Sequence, residues 1–164
     1  MIPRADERPR TIGLKWNGMH EEGRAVATGI LPGYLIELTD AEDDVPRLPA
    51  RCIAHNNQGV QVPFRIALED RLGNKAGQIQ GKNIDTPYEE DDIVFYVVGL
   101  PGDVFQVRVA PQSTWTIGTQ LCSAGDGTFE ALAGGDIALC EVEENIDFSD
   151  VAGSDEPLVR VRVL

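Results

Sequence analysis

Apolar and polar positions alternate in short runs along most of this chain, and nowhere do they repeat with the spacing of a strong amphipathic helix. The clearest signal lies at 93–109. Residues 93–98, IVFYVV, are almost continuously apolar, as in a strand covered on both faces or set in a barrel wall. Phe105, Val107 and Val109 then alternate with Gln106 and Arg108, the period-two pattern of a strand with one buried face. Between them, Leu100-Pro101-Gly102-Asp103 has turn chemistry, because proline presets one backbone angle and glycine permits another. The region therefore predicts a hairpin.

Similar strands are predicted on either side. A short one falls at 11–16, and 25–30 reads as strand, Pro32-Gly33 as turn and 34–38 as strand. Residues 51–55 are short and mixed, and Asn56-Asn57-Gln58-Gly59 is a turn. Val60, Val62, Phe64, Ile66 and Leu68 make the longest strict alternation in the chain, with Pro63 marking it as an edge strand or a bulge. Further strands follow at 115–118, 120–122, 129–132, 137–142 and 159–164, with turn residues at 123–128. Two polar stretches interrupt them: an acidic, proline-marked loop at 39–49 and a long loop at 69–92. A loop of that length signals function, ordering on binding or a short helix. Thr86 as N-cap, Pro87 as first helical residue, and Glu89 and Glu90 at the positive end of the dipole allow a helical turn over 86–91.

The expectation is a mainly β fold, a compact β-barrel or β-sandwich of antiparallel strands with long loops. Residues 1–12 hold three arginines, two prolines and two acids without periodicity and predict a flexible N-terminal arm, leaving 13–164 as a single β-rich domain. Such an arm is either a frayed terminus or a tether that orders on a neighbouring subunit.

Composition narrows the function. A length of 164 residues suits one domain that needs no staple to fold. A net charge of -13, from 27 acidic and 14 basic side chains, argues against nucleic acid as a direct partner, which needs a basic stripe. Cys52, Cys122 and Cys140 are odd in number and far apart, so they read as buried thiols in a reduced compartment. No apolar run is long enough to span a bilayer, and the first residues lack a signal-peptide core, so no membrane partner and an intracellular origin are expected.

Candidate chemistry is sparse. Gly81-Lys82 fails the phosphate-loop pattern, because Ala76 stands where the first glycine belongs and Asn83 where a hydroxyl belongs. Cys52 and His55 have the spacing of half a zinc site without a second close pair, and a buried cysteine with a surface histidine is the reading preferred for the same residues. The acids at 40–44 and 89–92 lack calcium-loop spacing and read as solvated loops. His20, in a polar loop, and His55 are the only imidazoles, and neither adjoins a nucleophile motif. No catalytic, cofactor or metal site is predicted.

The runs Ala67-Leu68-Glu69-Asp70, Gly81-Lys82-Asn83-Ile84-Asp85-Thr86-Pro87-Tyr88 and 94–104 with its Pro101-Gly102-Asp103 resemble the core of tailed-bacteriophage capsid decoration proteins, also called cement or head-stabilising proteins. Gly118-Thr119-Gln120-Leu121, Ala124-Gly125-Asp126-Gly127-Thr128-Phe129 and 138–142 continue the likeness, which spans roughly 25–164. The resemblance implies a β-rich protein, made in the host cytoplasm, that sits as a homotrimer outside the virion head and clamps major capsid protein subunits without chemistry of its own. This chain departs in its acidic 89–92 loop and arginine-rich start. Candidate capsid or subunit contacts are Arg4, Arg8 and Arg10 in the arm and Lys82, Asp85 and Tyr88 in the long loop, the tyrosine because that residue is favoured at interfaces. Two other classes stay open. In a virion-borne carbohydrate-binding or adhesive module, Trp16, Trp115 and Tyr34 would stack on sugars, although an aromatic content of 6% makes core filling the commoner use. An enzyme would need a cleft with two facing carboxylates.

Overall fold

The structure, a computed structural model, describes residues 11–39, 49–69, 83–110, 114–148 and 157–164. The predicted arm lies outside them apart from Thr11 and Ile12. Among the described residues there are thirteen strands, and the only helical element is a 3-10 turn at Asn83–Asp85. In chain order they are β1 (Gly13–Lys15), β2 (His20–Ala25), β3 (Ile36–Thr39), β4 (Ala50–Ala54), β5 (Arg65–Ala67), β6 (Ile93–Val98), β7 (Val104–Arg108), β8 (Thr114–Trp115), β9 (Gln120–Ser123), β10 (Phe129–Ala131), β11 (Cys140–Val142), β12 (Ile146–Asp147) and β13 (Leu158–Val163).

They form a six-stranded sheet, β1-β7-β13-β11-β9-β10, a five-stranded sheet, β3-β4-β2-β6-β5, and the pair β12-β8. Every pairing is antiparallel except that of β2 with β4. A parallel bridge between Val109 and Phe129 brings β10 back to the end of β7, so the large sheet curls without closing into a barrel. The fold is β-sandwich-like.

The main core fills the space between the sheets. Phe105, Val107, Val159, Val161, Leu121 and Phe129 of the six-stranded sheet meet Phe64, Ile66 and Val97, all packed in one buried cluster. A second cluster lies on the other face of the five-stranded sheet. There Ala25, Cys52, Ala67, Val94 and Tyr96 are covered by Ile30, Tyr34 and Tyr88. β6 thus sends Val97 into one core and Val94 and Tyr96 into the other, which is why its sequence is apolar almost throughout.

The predicted turn at 100–103 is present, but it does not join a hairpin. The Asp103 amide donates to Leu100 O at 2.9 Å and Gly102 sits at φ 92°, the geometry of a turn with proline second and glycine third. That turn class splays its flanking strands, whereas the mirror-image turns of two-residue hairpins keep them paired. Accordingly β6 pairs with β2 and β5, while β7 crosses to the other sheet and pairs with β13 over five registered residues. The segment is a corner between sheets.

Three further boundaries move. The strand expected at 25–30 is instead β2, whose polar sequence HEEGRA is held by ladders on both sides; tertiary pairing outweighs its low strand propensity. His20 therefore lies on a strand, not in a loop. Of the long alternation at 60–68 only Arg65–Ala67 is strand, at the sheet edge as Pro63 implied. Pro63 offers no ladder donor, and Gly59 is tied instead to Ser123 and Ile137. The helical turn allowed over 86–91 is absent: Tyr88 bridges Ile30, and a turn at 89–92 follows.

Candidate functional site

The roots of the two candidate contact segments meet at one end of the body. Glu69, the last described residue before the long loop, takes a hydrogen bond from Thr11 Oγ1 on one carboxylate oxygen and from the Ile12 amide, at 3.1 Å, on the other. The start of the chain is thereby tied to the start of the loop. Ile12 O in turn accepts from the Gln106 amide at 2.8 Å, which fixes this knot to β7.

The far side of the loop is held by Arg108, the last residue of β7. Its side chain is buried, and its guanidinium donates to Pro32 O at 2.9 Å, to Ile84 O, and to Asp85 Oδ1 at 3.2 Å. A buried cation is costly unless its donors are occupied, and here carbonyls and a carboxylate occupy them. The Asp85 carboxylate remains about one-third exposed. Past the 3-10 turn, the Tyr88 hydroxyl donates to Leu68 O at 2.8 Å, so both flanks of the loop are stitched to the same place.

An acidic turn stands beside this root. The Asp92 carboxylate accepts from the Glu89 amide at 2.8 Å, the Glu90 amide donates to Thr28 Oγ1 at 3.2 Å, and Asp91, at φ 69°, pairs with Arg24 at 2.9 Å. Glu89, Glu90 and Asp91 are exposed. The turn is therefore a fixed, negatively charged projection.

Of the candidate contact residues, Arg4, Arg8, Arg10 and Lys82 lie outside the described residues. Asp85 is at the surface, bound to Arg108. Tyr88 requires correction: at 2% exposure its ring is part of the second core, and its hydroxyl is satisfied internally, so it presents nothing to a partner. Sequence reading missed Glu69 and Arg108 as organisers of the site. Arg108 occupies the polar position of an alternating strand, and only the fold reveals that this face is covered there.

The other chemical candidates resolve as follows. Trp115 and Tyr34 are core residues at 2% and 7% exposure and cannot stack on a sugar, while half-buried Trp16 stacks on exposed His20 with ring centroids 4.8 Å apart. His55 is buried, not at the surface, with Nδ1 2.7 Å from Glu37 Oε2. The three cysteines are buried free thiols, as expected. Burial raises Cys52 to about 11, burial and then the nearby Asp136 raise Cys122 to about 11, and burial holds Cys140 higher than a usual thiol. Such groups stay protonated at neutral pH and are weak nucleophiles. Among the described residues no group of three or more His, Cys, Asp or Glu side chains is arranged to hold a metal ion.

A scan against protein-family models found no match, and a search of curated proteins found none either.

Proposed function

We propose that this chain is a capsid decoration protein: it binds the outer surface of an expanded tailed-phage head as a homotrimer and stabilises the mature lattice of the major capsid protein. The observation that carries the reading is the shared root of the arm and the long loop, joined through Glu69 and pinned to β7 by Arg108. A sandwich that brings the roots of two segments together at one end suits laying both on one neighbouring surface. The sequence resemblance points the same way, and the fixed acidic turn beside the root offers a charge partner to a basic capsid surface.

The work of such a protein is thermodynamic. Binding the mature lattice and not its precursor favours the mature state by mass action, by about 2.7 kcal/mol per site at a free concentration a hundredfold above Kd. Repeated over a shell, this resists internal pressure without any chemical step.

The test is co-sedimentation with unexpanded and expanded tailed-phage heads, followed by thermal disruption of the shells. The expected result is binding to expanded heads alone and a higher disruption temperature. Equal binding to both forms, or none to either, would overturn the reading.

A further inference from the structure

At the end of the body away from Thr11 and Glu69, five of the seven large apolar side chains that stand exposed among the described residues lie along one rim. They are Met19 at 68%, Leu100 at 49%, Leu164 at 47%, Ile137 at 43% and Val60 at 41%. Backbone hydrogen bonds link their segments in sequence around the rim. The Val98 amide donates to Met19 O, the corner at 100–103 follows, the Gly102 amide donates to Val163 O, Leu164 donates to Leu139 O, and Ile137 donates to Gly59 O. The row is held by the ladder and is not a set of unrelated loop tips.

The charge pattern is as telling as the apolar side chains. A quarter of the chain is charged, yet residues 16–19, 56–64, 94–102, 137–140 and 163–164 contain no Asp, Glu, Lys or Arg. Of the three acids that directly flank these segments, Glu141 is half-buried, and Asp103 and Asp136 are turned to internal use. The buried Asp103 carboxylate accepts from the Leu100 and Asn17 amides, each at 2.9 Å, and Asp136 Oδ2 accepts from the Ala133 amide at 3.3 Å. The close packing here is also committed, since a Cβ on Gly18 would fall 1.8 Å from Val98 O.

We propose that this rim is the face through which copies of the chain associate with one another. The occupant follows from charge. With a net charge of -13, two copies repel over most of their surfaces, and the rim is where they can meet without desolvating or opposing like charges. A basic partner gains nothing from an uncharged strip and is drawn to the acidic surface instead. Contact centres between identical chains are apolar and depleted in charge, which is the composition found here. The proposal deepens the homotrimer reading above by naming the face through which the copies meet, and that face is argued from the rim and not from what the other end binds.

Sedimentation equilibrium of the full chain over a range of protein and salt concentrations tests it. The wild type is expected to associate reversibly, and more strongly as salt rises, because screening removes repulsion while no ion pair is lost. Leu100→Glu combined with Ile137→Glu should weaken association by roughly tenfold or more, with an unchanged circular dichroism spectrum. Ile117→Glu is the control: that side chain is 63% exposed outside the rim, and its change should leave association as it was. A strictly monomeric wild type, association that weakens with salt, or a double variant that assembles like the wild type would overturn the proposal. A strictly monomeric wild type would also remove the homotrimer from the proposed function, whereas a double variant that assembles like the wild type would move only the face; shell binding is decided separately by co-sedimentation.

Discussion

The two ends of this sandwich are built on opposite principles. At one, a buried guanidinium, the Glu69 carboxylate and a set of backbone carbonyls bind the arm root, the loop flanks and β7 into one knot. At the other, apolar side chains stand in solvent on segments without a charged side chain, and the nearby Asp103 and Asp136 carboxylates accept from backbone amides. The knot consists of groups that would be costly to leave unpartnered, so it is tied to stability. The rim consists of groups the isolated chain does not need, so changes there should be felt only when a second body arrives. Stability and association should separate along this axis.

The largest expected effect concerns the cores on which both ends rest. Cys52 and Cys122 are held neutral by burial, with pKa raised from 9.0 to about 11, so the unfolded chain loses these protons first as pH rises. Their contribution is complete below about pH 9 and is lost on the way to about 11, roughly 3 kcal/mol for each thiol. Urea unfolding followed from pH 7 to 11 should show that fall, equally in wild type and in a variant of either end. Next, Arg108→Met strips the partners from Pro32 O, Ile84 O and Asp85, and should cost about 3 kcal/mol in the same assay while loosening the loop root. Asp103→Ala removes two amide acceptors behind the rim and should cost about 2 kcal/mol. Smallest is Leu100→Glu, expected within about 0.5 kcal/mol of wild type because its side chain is already half in water. A large destabilisation by Leu100→Glu, or a neutral Arg108→Met, would erase the distinction between the ends.

How far the sequence could be read follows the same physics. Period-two runs marked β7 and β13, and short apolar runs marked β9 and β11, since a strand with a core face advertises it in its own residues. β6 was legible as doubly covered for the same reason. What the pattern could not show was partnership. The Pro101-Gly102 turn was correctly located, yet its class splays strands, and attention to turn type would have argued for the corner that the structure reveals. β2 was invisible because a strand can be stabilised by ladders on both edges with few apolar residues of its own. At the site, Asp85 was singled out, as a contact residue, and Glu69 and Arg108 were not, because their importance lies in which distant carbonyls and amides they meet. Tyr88 illustrates the converse: an aromatic in a polar loop invites a surface role, and its flank folding back under Ile30 and Leu68 makes it core.

Hydrogen exchange of the protein free in solution and bound to expanded heads tests the two-ended account most directly. The account predicts that shell binding slows exchange at 1–12 and 69–92, while the rim at 17–19, 59–63, 99–103 and 137–139 responds to protein concentration in the absence of shells. Protection by the shell confined to the rim, with the arm and loop unchanged, would contradict it.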